Sequence, residues 1–153
     1  MLCPSGHLTS VRDQVCRSCD LATDPSSDIV VGERPVLGTI TFDDGAVLPL
    51  SRPAVIGSDV PKHYEINGEP ATIVRLDDGH DGVDGVHLEL QLVGWEIEAT
   101  DRSSQAGTFY RFSGESDTRT RFRSEQPTEL RNGMRVELGA RSFVFTLGPP
   151  KPQ

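Results

Sequence analysis

The sequence predicts an all-β chain, an antiparallel β-sandwich with a small module ahead of it. Three observations carry that expectation. Apolar and polar residues alternate with period two in several windows, as half-buried strands require. The 15 Gly and 11 Pro break the chain into short segments, and no window carries a helical apolar stripe. All three cysteines, Cys3, Cys16 and Cys19, cluster near the N-terminus, apart from the alternating region.

The module is expected over residues 1–22. Cys3-Pro4-Ser5-Gly6-His7 and Cys16-Arg17-Ser18-Cys19 form a Cys-x3-His pair and a Cys-x2-Cys pair, separated by one short loop. Two chelating pairs make one tetrahedral site, and thiolate and imidazole are the donors that suit zinc. An odd, clustered set of cysteines points to metal rather than disulfides. A redox Cys-x-x-Cys is disfavoured, because no strand-then-helix pattern surrounds it. The expectation is one structural Zn2+ held by Cys3, His7, Cys16 and Cys19, with no position left for substrate. So short a segment buries little apolar surface, so metal binding, worth an apparent ~10–16 kcal/mol in small zinc modules, would fold it.

Residues 23–35 have linker composition, apart from the apolar Ile29-Val30-Val31, which is fit to dock on a neighbour. The sandwich is expected over residues 36–148. Val36, Gly38, Ile40 and Phe42 share one side of a strand, and Asp43-Asp44-Gly45 supplies a turn. Leu88, Leu90 and Leu92, then Trp95, Ile97 and Ala99 across Gly94, make a hairpin. Met134, Val136 and Leu138, then Phe143, Phe145 and Leu147, make the final pair, with breaks at Asn132-Gly133 and Gly139-Ala140. Residues 59–85 read as a polar insert on loops, with only Thr72 to Leu76 strand-like. Residues 149–153 form a Pro-rich, flexible tail.

A net charge of −8 argues against nucleic acid, whose neutralisation needs clustered Lys and Arg. No apolar run is long enough for a membrane span, and the N-terminus lacks the basic start and apolar run of a signal peptide, so a cytoplasmic location is expected. No nucleophile with a base, phosphate-cradling loop or open metal site has usable spacing, so the chain is not expected to be an enzyme. The run Asp77-Asp78-Gly79-His80-Asp81-Gly82-Val83-Asp84 is not spaced as an EF-hand and reads as a solvated acidic loop. Arg111, Arg119, Arg121 and Arg123, with Glu115, Asp117 and Glu125 among them, read as a mixed-charge surface loop.

Four pieces in order resemble the forkhead-associated (FHA) family: Ala54-Val55-Ile56-Gly57-Ser58; His87-Leu88-Glu89-Leu90 before Trp95-Glu96-Ile97; Asp101 to Phe109; and Leu130 to Gly139. The resemblance spans about Leu37 to Leu147. The Cys/His element is similar to a zinc-ribbon-like element ahead of such domains in some bacterial members. It implies a signalling module that reads phosphothreonine through Gly-Arg, Ser-x-x-His and Asn-Gly-Thr loops.

Residue by residue, Gly57 is kept but Ser58 stands at the arginine position. His87, which braces the loops in the family, is kept, but Asp84 replaces the serine. Gly107 and Thr108 are kept, but Ala106 replaces the asparagine. An arginine's charge-assisted hydrogen bond contributes roughly 1.5–3 kcal/mol. A carboxylate about 4 Å from one phosphate charge repels it by roughly 4 kcal/mol at an effective dielectric near 20. Together these remove about three decades of affinity. The expected function is therefore a protein–protein interaction adaptor, a component of a larger assembly, that binds without phosphate. The expected face comprises Gly57, Ser58, Asp84, Gly85, His87, Ser104, Ala106, Gly107 and Thr108. The alternative, a phosphothreonine-peptide reader downstream of a Ser/Thr kinase, needs a replacement cation such as Arg102, Lys62, His63 or Arg52.

Overall fold

The computed structural model describes residues 1–76, 82–112 and 118–150. Asp77 to Asp81 of the acidic run, Glu115 and Asp117 of the arginine-rich stretch, and residues 151–153 lie outside them. In chain order the strands are β1 (Gly38–Phe42), β2 (Val47–Leu50), β3 (Ala54–Gly57), β4 (Glu65–Ile66), β5 (Glu69–Pro70), β6 (Thr72–Arg75) and β7 (Leu88–Val93). They continue as β8 (Glu96–Asp101), β9 (Thr108–Phe112), β10 (Thr120–Arg121), β11 (Thr128–Glu129), β12 (Met134–Leu138) and β13 (Arg141–Leu147). Among the described residues no helix is long and apolar enough to cross a membrane.

Two sheets face each other. One runs β10-β9-β12-β13-β1-β2 and the other β11-β8-β7-β3-β6. Alternation sets the inward faces. Ile40 and Phe42 of β1, Met134, Val136 and Leu138 of β12, and Phe143 and Phe145 of β13 are buried from one sheet. Ala54, Ile56, Leu88, Leu90, Ile97 and Ala99 meet them from the other. Phe42 and Phe143 pack edge to face at 5.7 Å. Each large apolar side chain removed from water contributes about 1.5–3 kcal/mol. The all-β sandwich expected from the alternation is what forms.

Two features depart from the expected pattern. The pairs are antiparallel except β3 and β6, which run parallel, because the insert carries the chain back before β6 begins. The insert also forms a hairpin, β4–β5, turning at Asn67-Gly68 with both residues at positive φ, 51° and 78°. The hairpin lies on the outer face of β7. Tyr64 donates to Glu89 Oε1 at 2.5 Å, and Asn67 Nδ2 donates to Gln91 Oε1 at 2.6 Å. Burial and the Glu89 carboxylate push the Tyr64 phenol up to about 12. Outward-phased Val55 and Glu89 are buried accordingly.

The N-terminal module folds as two tight turns. The first is fixed by the Cys3 N–H to His7 O bond (2.9 Å) and the second by Cys16 N–H to Leu21 O (2.8 Å). It docks on the sandwich through Arg17, inside the Cys-x2-Cys pair. The guanidinium is held by Asp13 (2.8 Å), donates to the Trp95 carbonyl (2.6 Å) and reaches Glu96 (3.5 Å). Gly148 lies so close that a Cβ there would collide with the Arg17 carbonyl.

Candidate functional site

Strand directions bring three loops to one end of the sandwich: the segment after β3, the segment before β7, and residues 102–107 between β8 and β9. The β7–β8 turn at Gly94, where the module docks, is at the opposite end. The first two loops are zipped by backbone bonds, Ser58 N–H to Asp84 O (2.9 Å) and Asp59 N–H to Gly85 O (3.1 Å). Gly57 permits this approach, since a Cβ on it would collide with the Gly85 carbonyl oxygen.

His87 ties the second loop to the third. Its ring is fully buried. The Asp84 N–H donates to Nδ1 (3.1 Å), so the proton sits on Nε2, which faces the Gly107 carbonyl (3.2 Å) and the Thr108 hydroxyl (3.1 Å). Burial pushes the imidazole below its ordinary value, against the opposing pull of the Asp101 carboxylate 3.8 Å away. Thr108 passes its own proton to Asp101 Oδ1 (2.6 Å), as does the Ser104 hydroxyl (2.5 Å). The Ser104 amide and the Ser124 hydroxyl both reach Oδ2 at 3.3 Å. Buried Asp101 is thus the hub of the third loop. Sequence reasoning did not single it out, although Ile97, Ala99 and Asp101 share the inward phase of β8, a signal for a buried carboxylate needing donors.

At the surface of these loops, the substituted positions make contacts of their own. Asp84 Oδ2 accepts the Gln105 N–H at 3.1 Å, so the carboxylate bridges the second loop to the third. Ser58 sits beside it, and Ala106 is exposed next to Gly82. Of the cations named as replacements for the missing arginine, Arg102 is paired with Glu89 (2.8 Å) and Glu125 (3.2 Å). Arg52 precedes β3, at the end away from the loops. Lys62 and His63 are exposed on the segment after β3. A different cation reaches the face. The Arg121 guanidinium lies across Gly107, with Nε 3.0 Å from where a Cβ would stand.

Cys3, His7, Cys16 and Cys19 converge as the spacing predicts, their ligand atoms all within 4.8 Å of one another. Cys3 Sγ is 3.5 Å from His7 Nδ1 and 3.6 Å from Cys19 Sγ. A tetrahedron with Zn–S bonds near 2.3 Å has S···S edges of about 3.8 Å, which the two short separations match, so the donor set suits zinc once any wider pair draws in. Burial works against the Cys3 thiolate, yet hydrogen bonds from His7, Ser5 and Cys19 bring it down to about 6. Burial pushes the Cys16 thiol up, and so do the neighbouring thiols. A divalent cation would remove this conflict by taking all the thiolates as ligands.

A two-sheet sandwich whose loops are braced at one end by a buried His–Thr–Asp network is a recognition module with no catalytic constellation among its described residues. The chain belongs to the FHA domain family, whose model matches residues 54–139. The family is one of protein-interaction modules, usually phosphothreonine-binding. Among solved structures, the chain is similar to an FHA domain studied for phosphothreonine-dependent interactions, at 22% identity and TM-score 0.52, over 74% of this chain and 99% of that one. It is also similar to the FHA domain of human APLF in complex with an XRCC1 bisphospho peptide, at 18% and 0.53, over 72% and 97%. A third is Mycobacterium tuberculosis EmbR in complex with a low-affinity phosphopeptide, at 16% and 0.57, over 79% of this chain and 28% of EmbR. No curated protein matches the chain in sequence.

Proposed function

We propose that this chain is a non-catalytic adaptor that binds a protein partner through its FHA loops without phosphate, and that a single structural zinc folds its N-terminal module. The observation carrying the first part is the Asp84 carboxylate on the Gln105 amide. It puts a fixed negative charge among the loops, where Ser58 offers no cation to offset a phosphate dianion. The third loop is already ordered by Asp101 and His87, so a partner meets a preformed surface and loses little entropy in ordering it. A reducing, cytoplasmic setting belongs to the same proposal, because zinc thiolates survive there.

The test is a tagged pull-down from native lysate, split into phosphatase-treated and untreated halves, with partners identified by mass spectrometry. Partners retained in both halves support the reading, and partners lost on treatment overturn it. A companion variant, Ser58→Arg with Asp84→Ser and Ala106→Asn, is expected to gain phosphothreonine-peptide binding that the parent lacks. The second reading, phosphothreonine recognition, is favoured by one observation, the Arg121 guanidinium against Gly107. It makes the opposite demand, that the unmodified chain prefer phosphorylated peptides and lose that preference in Arg121→Gln. Zinc is tested by elemental analysis of the purified chain, with about one zinc per chain expected.

A further inference from the structure

Beside the loops, the outer face of β9, β10 and β12 carries an arrangement that the loop reading does not use. Arg121 pairs across β10–β9 with Phe109, Phe109 pairs with Glu137 of β12, and Arg111 stands directly opposite Arg135. The Arg119 guanidinium lies 4.1 Å from the Phe109 ring centroid and that of Arg121 5.8 Å from it. Arg111 (2.9 Å) and Arg119 (3.1 Å) share the one carboxylate, Glu137. Arg135 bonds only a serine hydroxyl, Ser142, among the described residues. Among the described residues, four arginines thus face one glutamate, in a chain of net charge −8. Like charges directly opposite on a sheet destabilise it, as Arg111 and Arg135 are here, while Arg119 and Arg121 are held in place by packing on Phe109. Glu115 and Asp117 fall outside the described residues and enter no part of this count.

We propose that this face docks an extended, carboxylate-rich segment of a partner protein, without phosphorylation. Charge complementarity selects the occupant. The guanidinium groups are spread over three strands about 4.8 Å apart. That spacing suits successive Asp and Glu side chains better than one phosphate, which needs its donors to converge. Planar guanidinium pairs with carboxylate in two parallel bonds. The partner relieves the repulsion among the arginines, which Glu137, the one carboxylate paired with Arg111 and Arg119 among the described residues, does not balance. The surface stands whether or not the loops bind.

The probe is a fluorescent peptide of alternating Glu and Asp, about twelve residues long so that it crosses the face when extended, with a Gln/Asn peptide as control. Binding to the full chain by anisotropy is expected to exceed the control and to fall steeply with salt. Arg119→Gln with Arg121→Gln is expected to weaken it about tenfold or more. Glu137→Gln is expected to strengthen it severalfold. That gain of binding cannot come from unfolding. The charge-neutral pair Ser58→Ala with Ala106→Ser, which alters the loop face without altering its charge, is expected to bind as the parent does, which separates this surface from the loops. Equal binding of acidic and neutral peptides, no loss in the double arginine variant, or tighter binding of single-stranded DNA than of the acidic peptide would each overturn the proposal.

Discussion

The two ends of the sandwich are held by different physics. At the loop end, neutral and charged polar groups are buried and matched donor to acceptor around His87 and Asp101. At the other end, two short turns with almost no core of their own are closed by four ligand atoms and fastened by one guanidinium. Of the large apolar side chains exposed among the described residues, all but Val47 lie on that module, the segment after it, or Val93 at the β7–β8 turn. Geometry at the loop end is over-determined by many bonds, so its surface residues are free to differ. The other end depends on a single cluster, the proposed metal site, so its four donors are not.

The largest test of this contrast is metal removal. Chelation, or Cys16→Ser, is expected to disorder the module while the sandwich keeps its amide protection, measured by hydrogen exchange. The apparent binding free energy lost is about 10 kcal/mol or more. A sandwich that unfolds with the module would break the comparison. Next, Gly57→Ala is expected to destabilise the sandwich by about 3 kcal/mol in urea titrations, because the loops must part to admit the methyl group. Asp101→Asn places an amide against hydroxyls that need an acceptor and is expected to cost about 2 kcal/mol, whereas exposed Glu129→Gln should fall within about 0.5 kcal/mol. Arg17→Ala, which leaves the ligands untouched, is expected to cost about 1 kcal/mol and to loosen docking at Trp95, seen as a fluorescence change.

The smallest effect is on pH dependence. His87 is held below its ordinary value of 6.5, so the folded state binds fewer protons there than the unfolded chain. Its contribution is constant above about pH 6.5, and stability declines as the pH falls below that value. Imidazole nitrogen NMR should find the ring neutral, with its proton on Nε2, at pH 6.5. A protonated ring there would remove His87 as the neutral brace.

Much of this was legible in residue patterns. Strands β1, β7, β8, β12 and β13 follow from alternation, because each turns an apolar face to the core. The convergence of Cys3, His7, Cys16 and Cys19 follows from chelate spacing, because each pair sits on a tight turn. Strands β4 and β5 escaped, each only two residues long and too short for a period, although Asn67-Gly68 was a turn signal available in the sequence. The parallel β3–β6 pair is set by where the insert returns, which no local pattern encodes. Arg121 read as one charge in a mixed loop. Its placement on Gly107 depends on the β9–β10 register, a tertiary fact. No local pattern marks Arg17, which sits inside the Cys-x2-Cys pair while its contact is made far away in sequence, at Trp95.

The position of Gly148 against Arg17 bears on the order of events during synthesis. The module is made first, but its dock is assembled from the β7–β8 turn and the residue after β13. The first strand, β1, can pair with β2 at once, but its other edge waits for the same segment, because its neighbour on that side is β13. At roughly 5–20 residues per second, the nascent chain carries an undocked module and an open sheet edge until its C-terminal hairpin arrives. Metal capture at the proposed site could precede this, since all four candidate donors come before the sandwich in the chain. With the proposed zinc bound, the module would act as an early, self-contained knot that keeps three thiols out of reach until the last strand closes the sandwich beneath it.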